Sequence, residues 1–564
     1  MKRMKNIKTI GLACLVGLSI TSCNDFLDIL PLNEIVLENY WTEKADVENA
    51  VNGCYDALVS YDCISRMAIW GELRSDNIVP GMATQETESQ MLKGNLLPSN
   101  TYTDWTCFYQ VINRCNTVMY YAPIVQSKDP NYTLSELKAN IAEVTAIRNL
   151  CYLYLIRTFR DVPYVKVPSI DDNQVYQIKA STFNEILTDI IADLELVKDD
   201  AVNKYADVTS NTGRITRNGI YSILAEMYLW KQDYDNCIKY CDMVIDSKIK
   251  TYGIEKNKAK SKLKLYGKYP LISELVSGSF SGNAYTEIFG TGHSFESIFE
   301  LDFSENQSTS NSFISSYYGS SSNSVGYLGA AEFLFKDVAA GSNELFKRTD
   351  CRYLESMEDV GGVYAIDKYA RLSVSFNNTT SGTNVPQVTA SRRSTNYANW
   401  ILYRLTDIML MKAEAEVEKV GDVDVNATSP EFKTRYRTAF NLVSAVYNRA
   451  NNITVGRSDT LIYSTFATSR KSMEELVLKE RQREFVFEGK RWFDLVRMAQ
   501  RDGNNTRLIN FAVKKYSENQ SAIRKKMNSQ NSLYFPYNKD ELKANPKLVQ
   551  NPAYNTETAS SITD

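Results

Sequence analysis

Apolar side chains recur at steps of three and four along most of this chain, the spacing that gathers them on one face of an α-helix. A segment from Thr42 opens with an N-capping hydroxyl and early acids, then carries Ala50, Val51, Tyr55 and Leu58 at helical spacing. Asp104 is placed to cap a helix whose inner face is Trp105, Phe108, Val111, Ile112, Cys115 and Val118. Helices are also predicted over 135–159 and 183–197, the latter with Ile186, Ile190, Leu194 and Val197 inward. Between 70 and 103 no period is sustained, and a loop is expected.

Residues 214–247 give a helical turn unit: Ile220, Ile223, Leu224, Met227 and Tyr228 face inward, Gln232 to Tyr234 turn the chain, and Cys237, Ile238, Cys241 and Ile245 face inward again. Its length of about 34 residues is the tetratricopeptide period, and a similar pair is read over 401–450. Such units bury a continuous face only when several stack. The predicted fold is therefore mainly α, a tetratricopeptide-like superhelical scaffold of stacked helix pairs over 40–250 and 397–500. Residues 251–396 lose the helical period and read as a loop-rich, irregular insertion bearing short strands, including Ser/Asn-rich runs at 304–326 and 373–395. The segment 501–564 is expected to be irregular, and 23–564 to form a single domain.

The N-terminus alters the picture of where this scaffold resides. Lys2, Arg3, Lys5 and Lys8 lead into an apolar run from Ile10 to Ile20, too short to span a bilayer and of the length of a signal-peptide core. Ile20, Thr21, Ser22 and Cys23 then resemble a bacterial lipobox, in which residues 1–22 are removed and the cysteine takes a diacylglycerol and acyl anchor. Without those 22 residues the formal charge of −3 becomes −7, which does not attract nucleic acid. Of the remaining cysteines most sit among apolar neighbours in predicted helices and read as free buried thiols. With no CxxC and one histidine, His293, no metal site is predicted, and no cofactor besides the lipid anchor.

The stretch from Glu474 to Arg501 is the densest in charge and bulk together. On a single helix Glu480, Glu484, Glu488 and Arg491 fall in one arc of roughly 80°, shared with Val477 and Leu495. Charges on a core-facing arc need partners, since desolvating an unpaired one costs several kcal/mol. Pairs one turn apart are expected: Glu480 with Arg483, Glu484 with Arg481, Glu488 with Arg491. A catalytic pair, Glu484 with Glu488, is the competing reading; a structural ion-pair network is preferred because no other catalytic partner accompanies them.

Glu480 to Phe485, Glu488, Gly489, Arg491 to Leu495 and Arg497 resemble the C-terminal signature of the SusD/RagB family of nutrient-binding lipoproteins. The endings LYFPY and NPKLVQNPAY resemble the family's closing motifs, with Phe535 before Pro536 and Ala553 where glycine is usual. The resemblance implies a surface-exposed, lipid-anchored outer-membrane protein that captures an oligosaccharide and sits over a SusC-like TonB-dependent barrel. It also implies that the ligand site draws on the early loop and the middle insertion. Here that points to Asp76, Asn77 and Tyr102 from the first and Tyr285, Tyr317, Tyr318 and Tyr327 from the second, each with a purely structural role as the alternative. No GxSxG, P-loop or GxGxxG occurs. A carboxylate-dependent glycoside hydrolase and a helical-repeat adaptor remain as alternative functions. With 36 Tyr, 22 Phe and 6 Trp, the chain is rich in rings that suit sugar faces or helical cores equally.

Overall fold

The computed structural model describes residues 40–555, apart from 171–173, 256–261, 275–283, 305–308, 320–324, 378–386, 394, 422–429 and 452–458. The expected signal segment and Cys23 lie outside the described residues, as do parts of both Ser/Asn-rich runs. Among the described residues eleven helices reach twelve residues or more. The first five are α1 (Lys44–Leu58), α2 (Tyr61–Glu72), α3 (Thr106–Lys128), α4 (Leu134–Phe159) and α5 (Phe183–Val197). Then follow α6 (Arg217–Trp230), α7 (Tyr234–Glu255), α8 (Leu405–Glu418), α9 (Pro430–Asn451), α10 (Arg470–Phe485) and α11 (Arg491–Asp502).

Local chemistry sets several of these boundaries. Thr133 with Glu136 and Thr182 with Glu185 form reciprocal capping boxes at the starts of α4 and α5, each satisfying backbone donors that the first turn leaves open. Thr216 caps α6 through Gly219 N. The helices pack in sequence, α3 on α4, α4 on α5, α6 on α7, α7 on α8 and α8 on α9, which is the stacked-pair arrangement. Early and late helices meet as well, because α11 packs against α2. The eight described cysteines are free and buried, seven of them on these helices.

Four segments differ from the periodicity reading, the first being Glu86–Leu92, a short helix inside the expected 70–103 loop. Residues 61–72, not assigned to a helix above, form α2. Trp400–Arg404, read as helical, is a strand paired antiparallel with Ser297–Leu301, and α8 starts only at Leu405. All five strand residues are buried, and a short run buried on every side carries no period that separates strand from helix. The segment after α11 holds short helices, Thr506–Ala512, Gln520–Lys526 and Lys539–Ala544.

The insertion is fastened to the N-terminal helices by a four-stranded sheet. Its order is Ile78–Pro80, Leu328–Ala330, Val363–Ile366 and Met357–Val360, all neighbours antiparallel. Ile78 faces Ala330 and Pro80 faces Leu328, so the loop after α2 and the middle of the insertion share one ladder. Gly81 N and Thr84 Oγ1 extend the seam by donating to Tyr327 O at 3.0 and 2.6 Å.

Candidate functional site

The signature stretch is two helices joined by a turn. Phe487 and Gly489 both have left-handed backbone, with φ of 64° and 71°. The turn is seated against α2: a Cβ on Gly71 would lie 1.7 Å from Gly489 O. Buried Glu72, the next residue along, accepts from Phe487 N at 3.3 Å and Gly489 N at 3.1 Å, and Tyr318 Oη donates to Phe487 O at 2.9 Å. The fully buried turn thus has its backbone groups satisfied by side chains from two distant segments.

Because the helix breaks, the charges turn to different neighbours from those expected. Glu480 does pair with Arg483, at 2.6 Å. Glu484, however, is held by Arg352 (2.9 Å), Arg404 (2.5 Å) and Arg449, and Glu488 by Arg404 (2.7 Å) and Lys368 (2.6 Å). Arg481 bonds Asp494 and Asp407 at 2.8 and 2.9 Å, while Arg491 grips Asp76 with two bonds of 2.9 and 3.0 Å. Burial alone would raise the Glu484 carboxyl, but the three guanidiniums hold it well below the usual carboxylate range. A carboxylate so fixed is a poor general acid, and the cluster has the chemistry of a brace.

The seven residues that the sequence offered for ligand contact divide into two groups. Asp76, Asn77, Tyr285 and Tyr318 lie in the interior. Asp76 is committed to Arg491, Asn77 donates to Glu72 at 2.6 Å, Tyr285 donates to Asp367 O at 2.9 Å, and Tyr318 bonds the Phe487 carbonyl. Their polarity satisfies buried groups, which is why they read as exposed loop residues without being so.

Tyr102, Tyr317 and Tyr327 come together at the seam between early loop and insertion. Tyr102 Oη and Tyr317 Oη both donate to Glu88 Oε1, at 2.7 and 3.0 Å, and touch each other. Burial first, and then the neighbouring Glu88 for Tyr102 and Tyr102 for Tyr317, push both hydroxyls well up, so they stay proton donors. Half-buried Tyr327 meets the Tyr317 ring edge-on at 5.1 Å, and Tyr61, 45% exposed, reaches Tyr317 Oη at 3.5 Å. Met82, on the early loop, has 63% of its surface open. The inner rings thus fix the outer ones, Tyr61 and Tyr327, beside solvent. Tyr61 and Glu88 were missed in the sequence because single residues without a repeating offset carry no signal.

A separate concavity of about 320 Å³ lies between residues 203–218, the second half of α7 and residues 293–298. Amides and hydroxyls such as Asn211, Asn218 and Ser247 line it with the Phe295 ring, and among the described residues none in its wall is acidic. His293 forms part of the wall, bonded to Thr212 at 2.6 Å and Asp302 at 3.1 Å. Burial would lower its imidazole, but the Asp302 bond and nearby Glu300 raise it.

This architecture has known counterparts. A model of the SusD family matches residues 296–554, and a second, described as starch-binding associating with outer membrane, matches 25–229. The chain belongs to the SusD family. Among SusD-like proteins of Formosa agariphila, P38 is 23% identical over 526 residues, covering 88% of this chain and 92% of that one. Surface glycan-binding protein A from Bacteroides uniformis superposes with a TM-score of 0.61 at 21% identity, over 91% of this chain and all of that one. A laminarin binding SusD-like protein gives 0.60 at 19%, over 91% of this chain and all of that one. At these identities the superpositions establish a shared SusD fold.

Proposed function

We propose that this SusD-family chain is a lipoprotein of the outer-membrane surface that captures oligosaccharides and delivers them to a TonB-dependent barrel. The observation that carries the reading is the ring cluster at the seam, where Tyr61 and Tyr327 are held beside solvent by the buried Tyr102, Tyr317 and Glu88. Sugars present apolar CH faces ringed by hydroxyls, and a tyrosine offers a flat apolar ring with a polar tip. One structural counterpart is a surface glycan-binding protein, another a laminarin binding SusD-like protein, and one matching family is described as associating with the outer membrane, which supports the same reading.

Hydrolysis by a carboxylate pair requires two acids on opposite sides of the scissile bond. Among the described residues only Glu88 is an acid bonded into the ring cluster, and no acid lies in the wall of the 320 Å³ concavity, which favours binding over turnover. Anchoring through Cys23 would keep the binder beside its transporter and raise the local ligand concentration without new contacts.

The test is affinity electrophoresis of the mature chain in gels cast with single polysaccharides, run beside a reducing-sugar assay. Retardation by particular glycans without sugar release is expected; catalytic release, or no retardation together with capture of proteins alone, contradicts the reading. Cys23→Ala is expected to free the protein from membranes.

A further inference from the structure

The 320 Å³ concavity is built from scaffold and insertion together. The start of α6 supplies Thr216 and Asn218, α7 supplies Ser247 and Lys248, and residues 293–298 of the insertion close it. Side-chain bonds fix this wall. Asn218 Nδ2 donates to Ser247 Oγ at 3.0 Å and joins α6 to α7. Lys248 Nζ donates to Phe295 O at 2.6 Å and Ser297 O at 2.8 Å and joins α7 to the insertion. His293 has left-handed backbone, φ 49°, and is held through its amide by Glu300 at 3.0 Å and through its ring by Thr212 and Asp302. A non-glycine residue keeps that conformation only where its surroundings enforce it, and such outliers cluster at ligand sites.

The wall holds more donors than it uses. Exposed Lys204 has no ion-pair or hydrogen-bond partner among the described residues. The hydroxyls of Thr216 and Ser247 accept from Gly219 N and Asn218 Nδ2, and neither donates to a described residue. The side-chain oxygens in the wall all belong to neutral amides and hydroxyls. Asp302 and Glu300 answer the charge of His293 from outside the wall, which leaves Lys204 and Lys248 to set its sign. An acceptor-only group, a carboxylate or a sulfate ester, matches such donors, whereas a neutral sugar brings hydroxyl protons for which no carboxylate is present. Half-buried Phe295 adds a flat apolar face for ring CH groups. The volume is at the small end of ligand pockets, about 300–1,000 Å³, and an inorganic anion would leave most of it empty.

We propose that this concavity is a second saccharide site, for a pyranose unit carrying a carboxylate or a sulfate ester. Lys204 and the hydroxyls of Thr216 and Ser247 meet the anionic group, and Phe295 meets the sugar ring. The choice of a sugar rests on the glycan-capture reading. The site shares no residue with the ring seam, so either can fail alone.

The experiment titrates the mature chain with methyl glucuronoside, with glucose carrying a single sulfate ester and with methyl glucoside, by calorimetry and saturation-transfer NMR at low salt. Saturable binding of an acidic sugar is expected, at least about tenfold tighter than that of the neutral glucoside and weaker as sodium chloride is raised. Whichever acidic sugar binds more tightly identifies the anionic group. Lys204→Glu, at an exposed position with no partner to lose, and Asn218→Asp, which puts an acid into the wall, are each expected to weaken that binding at least about tenfold. Lys204→Glu should melt as the parent does and keeps the proposal testable if Asn218→Asp does not fold. Equal affinity for acidic and neutral sugars, no saturable binding of either acid, displacement by an equal concentration of inorganic sulfate, or full affinity in Lys204→Glu overturns the proposal. Acidic-sugar binding without retardation in polysaccharide gels supports this site and fails the ring seam; retardation without acidic-sugar binding fails this site.

Discussion

Tyr102 and Tyr317 stand 215 residues apart and place their hydroxyls on one oxygen of Glu88. Through that oxygen the early loop and the insertion hold a common surface, with Tyr61 and Tyr327 as its outer rings. Glu88→Ala leaves two buried hydroxyls without their acceptor. A loss of about 1–3 kcal/mol in urea-induced unfolding is expected; no change would mean that the seam is held by the Ile78–Pro80 ladder alone.

Glu484 sits among three guanidiniums, all of them buried. Removing the carboxylate in Glu484→Ala leaves cations from three segments facing one another, at a cost of about 3–5 kcal/mol. Chemical denaturation measures it, and a variant of unaltered stability would show that the network does not brace the fold.

Gly71 has no space for a side chain, because its Cβ would overlap Gly489 O. The contact is with backbone, so no rotamer change relieves it. Gly71→Ala is expected to cost about 3 kcal/mol or more, whereas Gly503→Ala, in open space with φ of 65°, should cost about 1–2 kcal/mol of backbone strain alone. Equal melting of the two variants would contradict the close approach of α2 to the signature turn.

Much of the scaffold was legible because its helices carry both signals that a sequence can show, a steady apolar period and a capping residue. The bounds of α5 follow directly from Thr182 and the spacing of Ile186, Ile190 and Leu194. The seam was half legible: resemblance pointed to the early loop and the insertion, which one sheet joins, but which of their side chains meet there depends on strand pairing between residues some 250 positions apart. That is why Tyr102, Tyr317 and Tyr327 meet there while Asp76, Asn77, Tyr285 and Tyr318 turn inward. The ion pairs of Glu484 and Glu488 were misassigned for a related reason. Their partners, Arg352, Lys368, Arg404 and Arg449, come from other elements, and no spacing within α10 encodes them.

Burial, opposed by bonds from Asn77 and Phe487 and assisted by nearby Asp76, lifts the Glu72 carboxyl to about 7 from its ordinary 4.5. The folded state therefore holds this proton more tightly than the unfolded state. Its contribution is complete below about pH 4.5 and is lost as pH rises through 7, on the order of 3 kcal/mol. Asp407 acts in the opposite sense: burial would raise it, yet Lys490 and Arg481 bring it down to about 2, so its contribution fades as pH falls from about 4 towards 2. Stability measured between pH 5 and 8 should decline, and Glu72→Gln should flatten that decline. A variant that declines as steeply as the parent would exonerate Glu72.

The central claim, that the ring seam meets the glycan, is tested most directly by isothermal titration of the retained glycan against the mature chain and the variants Tyr61→Ala and Tyr327→Ala, with melting followed in parallel. Both rings stand at the solvent side of the cluster, so affinity is expected to fall at least about tenfold in each, about 1.4 kcal/mol, with little change in melting temperature. Unchanged affinity in both variants would contradict the account and place the glycan elsewhere on the chain.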